Sequence, residues 1–259
     1  MSAYETLASA YDGLTSDIDY GKTLSFLEAI LDQAGKNPQC VVDLACGTGS
    51  MSLLLAKKGY QVIGVDISEE MLTQAAFKAG ELQENAPWFI RQSMDKLRLP
   101  MQADAVFCLL DSLNYLTDPQ QCRKTFLSVF KALTPGGIFL FDINTPHKLR
   151  SLDGQVFLDE NEESYCVWRA DFDREENICY YGIDLFRKQG KLWERSFEQH
   201  SEYAYEPALL TQWLREAGFT KITVTGDMTG KPPKPEEDRL IFLCEKPRQG
   251  NPTDLGELS

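Results

Sequence analysis

Two acidic residues and two glycines stand where two short apolar runs end. In VVDLACGTGS, residues 41–50, Asp43 precedes Gly47 by four positions and Gly49 by six. Asp66 closes the next run, QVIGVDIS. A strand that runs into a glycine-rich turn lets backbone N–H groups come close to a ligand, and phosphate is the common one. A carboxylate beside the turn would repel phosphate at short range. The lysine of a nucleoside-triphosphate loop is missing, because Gly49 is followed by Ser50 and Met51. The third glycine of a dinucleotide fingerprint is also missing, with Ser52 in its place.

A cationic ligand without phosphate removes the conflict. S-adenosylmethionine carries a sulfonium and an ammonium group, so Asp43 would attract it. Asp66, at the end of the second strand, could accept both ribose hydroxyls as carboxylates do in nicotinamide folds. Plainer readings stand beside these. Gly47 and Gly49 could supply positive φ and nothing more, and Asp66 could cap a helix that begins near Glu69.

The elements that would hold these groups alternate. From residue 39 to 142, runs such as CVVDLA, QVIGVDIS, WFIRQ, ADAVFCLL and IFLFDIN are separated by segments with helical spacing. Phe126, Val129, Phe130 and Leu133 mark one such stripe. Short runs rich in Val, Ile, Leu and Phe suit strands covered on both faces, and the alternation predicts right-handed βαβ units around a parallel sheet. After residue 144, aromatic and β-branched residues alternate with charged ones through SYCVWRADFD, NICYYGIDLFRKQG and KLWERSFEQHSEYAY. This predicts three or four antiparallel strands with a hairpin turn at RKQGK. A helix should follow from Glu206 with Pro207 in its first turn, then two strands, KITVTG and RLIFLCEK. The expected units are 1–145, an inserted cap at 146–205, a return to the core at 206–247, and a tail at 248–259 with little to bury.

Composition narrows the function classes. With 26 basic and 39 acidic residues the net charge is −13, which opposes nonspecific binding to nucleic acid. No apolar run approaches the roughly 20 residues that span a bilayer, and the first residues lack the pattern of a signal peptide. Seven scattered cysteines without a CxxC pair fit a reducing cytoplasm. Only His147 and His200 occur, so no zinc site is expected.

The motif set resembles the class I S-adenosylmethionine-dependent methyltransferases. VVDLACGTG is similar to that family's first motif and VIGVDIS with Met71 and Leu72 to its second. RQSMDKLRLP, ADAVFCLLDSLNYL and LTPGGIFLFDIN match the third to fifth strands, and the likeness runs from about residue 4 to 144. WLREAGF and the last two strands complete the usual core. The resemblance implies an α/β, Rossmann-like three-layer αβα sandwich. Its seven-stranded sheet would have the order 3-2-1-4-5-7-6 with strand 7 antiparallel. The motif set also resembles a bacterial subgroup of small methyltransferases with an antiparallel cap after the fifth strand. Carried over by motif, Asp43, Ala45, Gly47 and Gly49 would surround the methionine part and Asp66 the ribose. Ile67, Met71, Met94 and Asp95 would meet the adenine, although Met71 alone also fits the core and Asp95 a turn, and Leu109 would lie beneath the sulfonium. Tyr11, in an N-terminal helix, would close over the cofactor, although its seven-residue spacing from Tyr4 also fits a simple amphipathic stripe.

Acceptors in open α/β sheets sit beyond the carboxyl ends of the strands. Asp111, Tyr115 and His200 are therefore candidate catalytic groups, Asp111 for an amine proton and the other two for an oxygen acceptor. Tyr20, Asn114, Trp168 and Tyr181 are candidate acceptor contacts, with cross-strand packing the alternative for the aromatic residues. DSLNY is not the [DN]PPY signature of base amino-group methylation. The expected acceptor is a small molecule, methylated on nitrogen or oxygen without a metal, by a cytoplasmic monomer or homodimer. Two alternatives remain: an RNA or protein methyltransferase using a basic patch at Arg187, Lys188 and Lys191, and a cofactor-binding scaffold without turnover.

Overall fold

A computed structural model describes residues 18–82 and 84–248 of the chain. Tyr4, Tyr11 and all but the first residue of the 248–259 tail lie outside the described residues. The first half runs α1 (Tyr20–Gln33), β1 (Cys40–Leu44), α2 (Ser50–Lys57), β2 (Gln61–Asp66), α3 (Glu69–Ala79) and β3 (Trp88–Arg91). A single 3₁₀ turn at Met94–Lys96 leads to β4 (Ala103–Cys108), α4 (Pro119–Ala132) and β5 (Leu133–Asn144). The seven-stranded sheet has the order β10-β11-β5-β4-β1-β2-β3. It is parallel except for β11, which runs antiparallel to both β5 and β10. With β10 and β11 as the sixth and seventh core strands, this is the expected 3-2-1-4-5-7-6 arrangement.

Apolar runs without alternation arise because both faces of the sheet are covered. Val42, Leu44, Phe139 and Phe141 point to one layer with Phe126 and Trp213. Their neighbours Val41, Ile138 and Leu140 point to the other, with Leu27, Met51 and Leu55. Local signals set the helix ends. Asp118 accepts from the Gln120 N–H at 2.9 Å at the start of α4, with Pro119 in the first turn. The Phe141 and Phe242 rings stack at 4.7 Å and fasten the antiparallel strand to β5.

Between β5 and the final helix come α5 (Pro146–Ser151) and four strands: β6 (Val156–Glu160), β7 (Ser164–Asp173), β8 (Ile178–Gln189) and β9 (Leu192–Tyr203). They form a separate antiparallel sheet in the order β6-β7-β8-β9. Gln189 pairs with Leu192, so Gly190 and Lys191 make a two-residue hairpin turn, with Gly190 at φ 65°. Glycine at that position is what such a tight loop requires. The chain returns to the core through α6 (Pro207–Ala217), β10 (Thr220–Gly226) and β11 (Arg239–Glu245).

Asn114 ties the cap to the core. Its backbone carbonyl accepts from the Tyr203 N–H at 2.7 Å, and its amide nitrogen donates to the carbonyls of Tyr203 and Asn144 at 3.0 Å each. Its amide oxygen accepts from the Asn144 N–H at 3.1 Å. Fully buried and with both ends of its amide engaged, Asn114 acts as a clasp rather than the expected acceptor contact. Among the described residues no helix is long and apolar enough to cross a membrane.

Candidate active site

The turn after β1 carries three residues in the left-handed region: Ala45 at φ 62°, Gly47 at 52° and Gly49 at 76°. The Ala45 and Cys46 N–H groups donate to the Val65 carbonyl at 2.7 and 3.0 Å, binding the turn to β2. A Cβ on Gly49 would lie 2.9 Å from the Ala75 side chain and 3.1 Å from the Phe89 ring, so only glycine fits. A Cβ on Gly47 would meet nothing within 4 Å. Gly49 is thus needed for packing, whereas Gly47 faces open space.

Asp43 is 3% exposed and accepts from the Ser52 hydroxyl at 2.5 Å. Burial pushes its carboxyl up to about 6, against the Ser52 hydrogen bond and with help from the nearby charge of Asp66. Ser52, which ruled out a dinucleotide fingerprint, is therefore the partner of the motif's carboxylate. Asp66 accepts from the N–H groups of Gly47 and Ser68, each at 2.9 Å. Burial raises its carboxyl too, and the backbone donors hold it back. The helix-capping alternative fails, because the Ser68 hydroxyl caps α3 by accepting from Met71 N–H at 3.2 Å. Two nearby carboxylates beside an open glycine turn suit a donor that brings positive charge and no phosphate.

The expected adenine contacts diverge. Ile67 is 65% exposed, but Met71 is only 2% exposed, because its place on α3 turns it into the interior. Met94 is partly buried against the core, with its sulfur 4.0 Å from that of Cys108. Asp95 accepts from the Ser93 hydroxyl in the 3₁₀ turn. Leu109 packs at the end of β4 against the cluster of Val41 and Phe107. Tyr20 opens α1 and packs against this same cluster.

A second polar group forms beyond β4 and β5. Leu110 and Asp111 have φ values of 57° and 50°, two successive left-handed residues that are not glycine. Such a backbone persists only when its surroundings hold it. Asp142 does so by accepting from the Asp111 N–H at 3.0 Å. Arg239, the first residue of β11, pairs with Asp142, with the Asp111 carboxylate at 2.6 Å and with the Asn144 amide oxygen at 3.2 Å. Burial opposes the guanidinium's charge, yet Asp111 and Asp142 hold its pKa above the ordinary value. The ion pair anchors Asp111, so this geometry does not support its expected part in taking an acceptor's proton.

The cap adds three groups to this cluster. The Asn144 amide donates to Glu202 at 2.9 Å, and the Tyr181 hydroxyl also donates to Glu202. Glu202 is 4% exposed; burial first, and then the charge of Asp111, push its carboxyl up to about 8. His200 lies opposite Tyr181 on the same face of the cap, is 2% exposed and meets Glu198 at 3.0 Å. Tyr115 packs edge-on against the His200 ring at 5.9 Å. Trp168 shares the buried face of the cap, and among the described residues its indole N–H has no hydrogen-bond partner. Sequence reasoning had found Asp111, Tyr115, Tyr181 and His200. It had missed Asp142, Asn144, Glu202 and Arg239. The only available signal was their polarity at the ends of apolar runs.

A family model described as a methyltransferase domain matches residues 41–137. Over 94% of the chain the protein is 34% identical to "Putative methyltransferase YqeM" of Bacillus subtilis (strain 168), covering 97% of that relative. The chain belongs to the class I S-adenosylmethionine-dependent methyltransferases. A crystal structure of a family member from Clostridium acetobutylicum ATCC 824 matches with a TM-score of 0.83 and 28% identity, covering 95% of this chain and all of that one. More distant relatives of this methyltransferase differ in acceptor. A glycine/sarcosine N-methyltransferase of Aphanothece halophytica is 26% identical, over 85% of this chain and 80% of its own. A ubiquinone biosynthesis O-methyltransferase of Coxiella burnetii (strain Dugway 5J108-111) is 32% identical, over 78% of this chain and 71% of its own.

Proposed function

We propose that this methyltransferase methylates the amine nitrogen of a small molecule beneath its antiparallel cap. The observation that carries the reading is the attachment of the cap across the carboxyl ends of β4 and β5. There, Tyr203 and Asn114 exchange two hydrogen bonds and Glu202 reaches Asn144. Buried carboxyls beneath a cap suit a compact, positively charged acceptor better than a polymer. The basic patch expected for RNA is largely neutralised, since Arg187 lies 3.7 Å from Glu194 and Lys188 lies 3.8 Å from Glu163.

S-adenosylmethionine is a substrate here, consumed in each turnover, and it supplies an electrophilic methyl group on a sulfonium. Ala45, Gly47 and Gly49 would admit its methionine part, and Asp43 would offset its positive charge. Asp66 would accept its ribose hydroxyls, with the carboxylate lone pairs not used by the Gly47 and Ser68 N–H groups. Ile67, Met94 and Asp95 would bound the adenine, and Leu109 would lie beneath the sulfur. Transfer is an in-line displacement, to which positioning can contribute much of the acceleration.

Incubation with methyl-labelled donor and cell extract, followed by fractionation by size, tests the reading. Label should enter the low-molecular-weight fraction, in a product that gains a basic N-methyl group. Label in RNA or protein would refute the small-molecule reading, and an O-methyl product would refute the amine. Tight donor binding with no labelled product at all would favour the scaffold alternative.

A further inference from the structure

Three carboxyls meet in the acceptor-side cluster, Asp111, Asp142 and Glu202, and one guanidinium pairs with two of them. Arg239 spends both ends of its fork on Asp111 and Asp142. Among the described residues the hydrogen bonds to the Glu202 carboxyl come from neutral groups, the Asn144 amide and the Tyr181 hydroxyl, and Arg239 adds only a lesser attraction without pairing with it. A buried carboxylate without a counterion is costly, so it either holds a proton or awaits a cation. Glu202 also lies where the reaction would occur. It precedes Tyr203, whose N–H is fixed to Asn114 beyond β4, its carboxyl accepts from Asn144 at the end of β5, and the charge of Asp111 acts on it.

We propose that Glu202 receives the acceptor's ammonium group and takes its proton before methyl transfer, the task that Arg239 denies to Asp111. This rests on the amine reading above. An ammonium group entering the cluster supplies the missing positive charge and favours the ionised form of Glu202. One N–H proton then passes to the Glu202 carboxylate, leaving a neutral amine with a free lone pair. That lone pair forms the new N–C bond while the S–C bond breaks, its electron pair staying on sulfur as the thioether. The product leaves as a methylated ammonium, and Glu202 returns its proton to water. Among the described residues the charged and titratable groups around Glu202 are Asp111 beyond β4, Asp142 on β5, Cys179 and Tyr181 on β8, His200 on β9 and Arg239 on β11.

The test uses the full chain with S-adenosylmethionine and a panel of small primary amines: methylamine, ethanolamine, glycine and glucosamine. In the parent protein kcat/KM should be bell-shaped in pH. It should rise as Glu202 ionises, near 8, and fall as the amine loses its own proton. Glu202→Gln should lower kcat/KM about 100-fold, a general base's usual contribution. It should also change the profile to one that only rises, up to the amine's own pKa, because that variant must capture amine already neutral. Glu202→Asp should keep the bell at reduced height. Calorimetric affinity for the donor should be unchanged in both variants. If Glu202→Gln fails to bind the donor, the shape of the Glu202→Asp profile decides the matter.

A readout without turnover accompanies these rates. The infrared difference spectrum of donor-bound parent protein minus Glu202→Gln should show a protonated-carboxyl band at pH 7 that disappears as pH rises through about 8. A Glu202→Gln profile that is merely a scaled copy of the parent bell would overturn the proposal, as would unchanged turnover or an absent carboxyl band. Donor binding with no methylation of any amine in the panel would instead refute the amine reading, and the role of Glu202 with it.

Discussion

The two halves of the site are built differently. On the donor side the decisive contacts are close in sequence. Ser52 reaches Asp43 nine residues away, Gly47 reaches Asp66 across nineteen, and Ser68 reaches Asp66 across two. On the acceptor side Arg239 meets Asp111 across 128 residues, and Asn144 meets Glu202 across 58. A local turn with a carboxylate can serve any enzyme that uses the same donor. A cluster drawn from β4, β5, β11 and the cap can change with the acceptor while the donor turn stays intact. The charge balance differs too. On the proposed donor side the acids would receive their cation from the ligand, whereas the proposed acceptor side carries a cation of its own for two of its three carboxyls.

This contrast predicts that the acceptor cluster matters more to stability. Arg239→Met should cost about 3–5 kcal/mol, because it leaves the buried Asp142 and the half-buried Asp111 without their partner. Chemical denaturation should show this as a lower midpoint with a similar slope. A loss below about 1 kcal/mol would mean that the two carboxyls are protonated or hydrated, and that the cluster is not held by charge.

On the donor side the expected effect is on affinity and depends on pH. The folded protein raises the Asp43 carboxyl to about 6, so its protonated form is favoured by folding. That contribution to stability is complete below the ordinary carboxylate pKa and is lost as pH rises through about 6. A cationic donor favours the ionised form instead. Its dissociation constant should be smallest above pH 6 and should rise up to about ten-fold per pH unit below it. Isothermal calorimetry of Asp43→Asn should give weaker binding with a flatter profile; an unaltered parent-like profile would remove Asp43 from the donor site.

The smallest effect belongs to the cap's hairpin tip. Lys188→Ala removes an ion pair with Glu163 that is exposed on both sides, and it should change stability by less than about 1 kcal/mol and leave methyl transfer unaltered. A large loss of transfer would reopen the basic-patch reading.

The donor side was legible because its residues adjoin strand ends. The apolar runs placed β1 and β2, and the glycines placed the turn between them. Even there Met71 fitted both the adenine wall and the core, since a position on a helix is set by rotation about its axis, and α3 turns that residue inward. Asn114 and Asp111 were legible as polar residues after β4, but their partners were not. The first is consumed by Tyr203 and Asn144, the second by Arg239.

Short-range order therefore accounts for the sheet, its order through family likeness, the antiparallel cap and the acidic glycine turn. These depend on periodicity and on contacts between near neighbours, which are written in the chain itself. The partnership of Arg239, Asp111, Asp142 and Glu202 came from folding, which carried a residue from the last strand and one from the cap onto the ends of β4 and β5. Burial then gave their charges weight, since a carboxyl's behaviour depends on which cation lies beside it and how little water remains.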